Sequence, residues 1–126
     1  MGNIFIVGLG GFIGSVLRYL VSQGIFRISS GHWFPLGTFI VNVLGCFVIG
    51  ILGGVIVLKG GMPDGLKLFI FVGFLGGFTT FSAFGYETFL LIKNNQFSAA
   101  VFNVFIHMVI CLASVWFGYY FSKLMS

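Results

Sequence analysis

Between residues 73 and 87 the chain reads GFLGGFTTFSAFGYE, which sets three hydroxyls (Thr79, Thr80, Ser82) beside Phe81, Phe84 and Glu87 inside a long apolar stretch. Hydroxyls offer uncharged donors, and a phenyl ring carries a positive edge around a negative face. Phe81 and Phe84 are three apart, so one helical face presents both rims; the same spacing also suits two core or lipid-facing rings. Thr38 and Asn42 are four apart on another segment, and the Asn42 amide adds two more neutral donors. A buried membrane Asn also serves as interhelical glue. Asn103, His107, Cys111, Ser114 and Gly118 form a stripe on one helix face, readable as a conduction path or as a packing face. Arg18 stands one turn beyond Gly14, either snorkelling to the interface or offering a cation at a pore mouth. Together these residues could hold a small anion weakly and let it go again.

The same inventory excludes enzyme chemistry. The two carboxylates, Glu87 and Asp64, and the two histidines, His32 and His107, are scattered over different segments, so no acid pair, nucleophile–base pair or metal cluster is expected. Cys46 and Cys111 lie in apolar segments without metal-ligand spacing and read as reduced packing residues. The GLGGFIG run is not a dinucleotide fingerprint, because Ile13 breaks the spacing and no strand precedes it. Gly10 and Gly14 instead form a small-xxx-small packing face.

The elements that position these residues follow from composition. Of 126 residues, 59% are hydrophobic and 6% charged, against about 25% charged in soluble domains. The chain is therefore expected to be an all-α membrane protein. Four apolar segments, approximately residues 3–25, 36–58, 66–92 and 99–124, are long enough to cross a bilayer and make one four-helix domain over 1–126, since a span needs about 20 residues. Pro35 and Pro63 stand at helix starts, where a missing N–H does no harm. The amino terminus lacks a basic region and a cleavage site and reads as mature protein. Trp116, Tyr119 and Tyr120 read as an interfacial anchor.

Within the third segment, Gly76-Gly77 costs roughly 2 kcal/mol of helix stability relative to two alanines. A lone glycine pair more often admits a neighbouring helix. Followed here by hydroxyls, it predicts a helix broken near Gly76-Gly77, tolerable only where the open backbone faces protein or water. The six basic residues divide evenly, with Lys59, Lys67 and Lys123 on one side and Arg18, Arg27 and Lys93 on the other. The positive-inside rule then sets no orientation, so two oppositely inserted copies could pair. No basic run suggests nucleic-acid binding.

GGFIGSVLRY (residues 10–19), PLGTFIVNVLG (35–45) and GFLGGFTTFSAF (73–84) resemble, over the whole chain and in order, the three signatures of the Fluc or CrcB-type bacterial fluoride channels. The resemblance implies an antiparallel, dual-topology homodimer of four-helix subunits with two fluoride pores. It further implies a structural sodium ion at the dimer centre, held by the backbone carbonyls of Gly76 and Thr79, and no organic cofactor. Asn42, Phe81 and Phe84 match the family's pore residues and Arg18 its vestibule arginine, with Thr38 and Ser82 at further polar positions. The roles of Thr80 and Glu87 stay open. Ala83 replaces a common hydroxyl, and Asn103, His107 and Cys111 stand where relatives often place Tyr, Ser and Thr. His107, with an unperturbed pKa of about 6.5, would make conduction pH-sensitive. The expected function is passive, fluoride-selective export across the bacterial plasma membrane. A small dual-topology multidrug transporter and a non-conducting subunit of a membrane complex are the alternatives; the first requires a glutamate in the first helix, which is lacking.

Overall fold

The computed structural model describes residues 1–30 and 33–125, so His32 lies outside the described residues. It is all-α. Helix α1 spans Gly2–Ile28 and α2 spans Leu36–Lys59. Helix α3 covers residues 64–78, α4 spans Phe81–Lys93, and α5 spans Phe97–Leu124. Counting α3 and α4 as one run, four helical stretches among the described residues are long and apolar enough to cross a membrane, and the chain is a multi-pass membrane protein.

Local sequence sets the ends. Pro35 and Pro63 precede α2 and α3. Gly60, at φ 71°, stops α2, and the Gly61 N–H closes back on the Ile56 carbonyl at 3.1 Å, a glycine-terminated helix end. Asn95, at φ 59°, does the same after α4, with the Gln96 N–H on the Leu91 carbonyl at 2.8 Å.

Two helix pairs make the body: α1 lies along α3, and α2 lies along α5. Glycine decides both. A methyl on Gly10 or Gly14 would run into the α3 backbone at Phe69, Phe74 and Phe78, and one on Gly77 would run into Gly11. In the second pair Gly50 meets the Val115 carbonyl and Gly118 meets the Phe47 carbonyl. Small residues let backbones approach to dispersion range where lipid supplies no hydrophobic drive. The outward faces carry exposed Phe, Leu, Ile and Val, as a lipid-facing surface requires. At one end Lys123 Nζ sits 4.8 Å over the Tyr119 ring and 5.3 Å from that of Tyr120, which packs against Trp116.

The third span is irregular in two places. Leu68–Leu75 is π-helical, a rare form that tends to mark functional sites. Further on, Gly76 and Gly77 are helical, and the extended residues are Thr79 (φ −86°, ψ 157°) and Thr80 (φ −150°, ψ 119°). The interruption therefore falls two residues after the glycine pair at which it was expected. Gly77 is used for contact with Gly11, whereas the extended backbone at Thr80 is bonded by a side chain from α2.

Candidate functional site

That side chain is Asn42. Its Nδ2 donates to the Thr80 carbonyl at 3.0 Å and its Oδ1 accepts from the Thr80 N–H at 2.9 Å. The bracket replaces both backbone bonds that helical continuity would have supplied. Thr79 turns its hydroxyl back onto the Leu75 carbonyl at 2.8 Å. Thr80 caps α4 by accepting from the Ala83 N–H at 3.1 Å, and its hydroxyl lies 3.2 Å from that of Ser82. Among the described residues no hydrogen bond reaches the carbonyls of Gly76 or Thr79.

Two clefts meet at this interruption and a third adjoins the second. The first, a groove of about 320 Å³, is lined by Asn42, Thr79, Thr80, Phe81, Phe84, His107 and Cys111 with apolar neighbours. Phe81 is 80% exposed and Phe84 only 8%, with ring centroids 5.4 Å apart. The second cleft, about 520 Å³, sets Arg18 with Ser15, Ser22, Thr38, Thr80 and Ser82. The third, about 560 Å³, holds Ser22, Thr38 and Glu87 with Gln23, Asn94 and Gln96 near the helix ends. Thr80 borders the first two and Thr38 the last two, so the clefts adjoin in a track whose first part is largely apolar and whose other two parts are more polar.

Buried groups behind the track hold its walls. Thr38 donates to Glu87 Oε1 at 2.6 Å, joining α2 to α4, while Glu87 Oε2 has no partner. Asn103, fully buried, donates to the Thr88 hydroxyl at 2.8 Å, and Thr88 donates to the Phe84 carbonyl at 2.7 Å. His107, 5% exposed, places Nδ1 3.0 Å from the Asn103 carbonyl. Its ring lies 4.5 Å from Phe84 and edge-on to Phe39 at 5.1 Å. Nε2 of His107 and Oδ1 of Asn103 are buried without partners.

The expected residues thus divide. Asn42, Thr79, Thr80, Phe81, Phe84, His107 and Cys111 share the groove. Arg18, Thr38 and Ser82 belong to the neighbouring cleft, Glu87 lies further along, and Asn103 stands behind the wall. Gly76, exposed, heads the interruption outside all three clefts. Cys46 was read from the sequence as a packing residue only, and Thr88 was not singled out. Cys46 follows Asn42 by four, extending the Thr38–Asn42 face by one turn, a spacing that could have found it. Thr88 follows Phe84 by four, and only the partner on α5 reveals its use.

The family model described as "CrcB-like protein, Camphor Resistance (CrcB)" matches residues 5–119. Similar proteins named "Fluoride-specific ion channel FluC" occur in several organisms. That of Elusimicrobium minutum is 47% identical over 97% of this chain and 94% of its own length. That of Azobacteroides pseudotrichonymphae is 44% identical over 96% of each. An archaeal one, from Methanococcus aeolicus, is 42% identical over 94% of this chain and 93% of its own. The chain belongs to the CrcB-like family, whose members compared here are ion channels and not enzymes.

Proposed function

We propose that the chain forms a passive, fluoride-selective channel that relieves the bacterial cytoplasm of fluoride. The names carried by its relatives support the substrate. The observation that carries the reading is the composition of the groove wall, which is largely apolar, holds no Lys, Arg, Asp or Glu, and brings the Asn42 amide and the Thr80 hydroxyl together with two phenyl rings. Such a wall binds a small anion weakly enough for it to leave. Arg18 attracts anions into the adjoining cleft, from which the Thr80 and Ser82 hydroxyls lead to the rims of Phe81 and Phe84. Hydrogen fluoride crosses lipid as a neutral acid and dissociates inside, and the trapped anion leaves down its electrochemical gradient without an energy source.

The working unit in this reading is an antiparallel homodimer of dual topology with two pores. It is supported by the even division of the six basic residues and by the interruption itself. Gly76 is exposed on a single chain, Phe81 is largely so, and two carbonyls there accept no hydrogen bond. Lipid cannot satisfy such groups, whereas an inverted second copy covers them. The carbonyl oxygens of Gly76 and Thr79 are hard, neutral donors that suit a sodium ion shared between copies. Bound there, sodium would neutralise the converging carbonyl dipoles. In this reading Thr79 contributes through its backbone carbonyl, while its hydroxyl donates to the Leu75 carbonyl.

The deciding experiment is fluoride efflux, set against chloride efflux, from liposomes holding the purified protein. Rapid fluoride loss with chloride retained is expected; equal loss of both ions, or of neither, overturns the reading.

A further inference from the structure

The groove also holds a pair of thiols that the proposed ion path leaves unused. Cys46 of α2 and Cys111 of α5 both line it. Both are free thiols, half-buried at the groove. The pairing follows from the way α2 and α5 meet. One turn beyond Cys46, Gly50 comes so close to α5 that a methyl on Gly118 would stand 3.2 Å from the Gly50 Cα. Gly50 also meets the Val115 carbonyl, and Cys46 and Cys111 each stand one turn before that contact, so the two helices set them side by side at the groove. Among the described residues no three His, Cys, Asp or Glu side chains converge, so His107, one turn from Cys111, does not complete a tetrahedral set.

We propose that Cys46 and Cys111 form a two-coordinate site for a soft, thiophilic cation of the mercuric type. Hard divalent cations need several oxygens and zinc needs four ligands, whereas soft cations select thiolates. On binding, each thiol loses its proton and two sulfur–metal bonds form, joining α2 to α5. With Hg²⁺ two protons leave as two positive charges arrive, so the bis-thiolate complex is neutral and no net charge remains in the apolar groove. No oxidant is required. The cation would sit one turn from Asn42 and one turn from His107, narrowing the 320 Å³ groove. Interference with fluoride passage is a consequence that rests on the channel reading above; the metal site itself does not.

The test titrates the purified protein in detergent with mercuric chloride, following the sulfur-to-mercury charge-transfer absorption and the metal retained after gel filtration. One Hg²⁺ per chain is expected, removable by dithiothreitol. Cys46→Ser and Cys111→Ser should each weaken retention by roughly a hundredfold or more, because the second sulfur acts at high effective concentration. Two Hg²⁺ per chain, or none, would overturn the proposal, as would single variants that hold mercury as tightly as the parent. Should a variant fail to elute as the parent does, the one-to-one stoichiometry of the unaltered chain still decides. In liposomes Hg²⁺ should arrest fluoride efflux. One-to-one binding with undiminished efflux would uphold the metal site and sink the placement of the ion path in this groove.

Discussion

Asn42 spends both ends of its amide on the backbone of a single residue, Thr80, at 3.0 and 2.9 Å. One Nδ2 hydrogen is thereby committed to protein, leaving the other for an anion in the groove. The side chain is a splint for the interrupted span before it is a ligand. Asn42→Ala strands a buried N–H and a carbonyl, at about 1–3 kcal/mol for each unsatisfied group. The variant should lose both thermal stability in detergent and fluoride efflux. Asn42→Asp keeps the acceptor, discards the donor and adds a negative charge, so it should recover part of the stability and none of the efflux. Full stability in the alanine variant would dismiss the splint.

The two phenylalanines should separate cleanly under mutation. Phe84 is 8% exposed and stacks near His107, whereas Phe81 is 80% exposed. Truncating a well-packed Phe costs about 3–5 kcal/mol, and an exposed one far less. Phe84→Ala should therefore lower the melting temperature of monomer and assembly alike. Phe81→Ala should leave an isolated chain's stability near that of the parent yet abolish efflux. If Phe81→Ala also destabilises the protein in membranes, the difference measures cover supplied by a second copy.

The helices and most of the groove were legible because their signals are local. Apolar runs, prolines at helix starts and four-residue spacings place Thr38, Asn42, His107 and Cys111 without knowledge of any partner. The position of the interruption was less legible. A glycine pair raises the cost of helix wherever it stands, but the backbone opens where another element offers replacement bonds. Here that element is Asn42, 38 residues from Thr80 in sequence, and the opening moved to meet it. Asn103 has a partner that spacing does not reveal. The stripe on α5 sets its direction correctly, yet Thr88 intercepts its amide and holds it behind the wall.

The helix pairing predicts a sharp contrast between two neighbouring glycines. A methyl on Gly50 would strike the Val115 carbonyl, while nothing lies within 4 Å of one on Gly53. Gly50→Ala should force α2 from α5, shift both thiols and the groove wall, and cost stability in the range of about 1–3 kcal/mol seen for overpacking. Gly53→Ala should change the melting temperature by no more than a degree or so, the alanine being the better helix former. Equal effects at both positions would remove the close approach of α2 and α5 from the account.

His107 gives the last prediction, through the charge it can carry. Its ring is held by Asn103 on one side and by Phe39 and Phe84 on others, and Nε2 has no protein partner. The titratable or charged group nearest to it along the track is the Cys46–Cys111 pair, and Arg18 and Glu87 line the other two clefts. A proton on this ring would place a positive charge beside the tilted Phe84 ring, centroids 4.5 Å apart, where the permeating anion is proposed to pass. Fluoride efflux from liposomes compared at about pH 5.5 and about pH 8 should therefore differ in ratio between the parent and His107→Ala, histidine being the side chain that titrates in this interval. His107→Asn, which keeps a neutral polar group, should follow the alanine profile and not the parent's. Superimposable profiles for all three proteins would show that the ring stays in one protonation state throughout and acts only as packing behind Phe84.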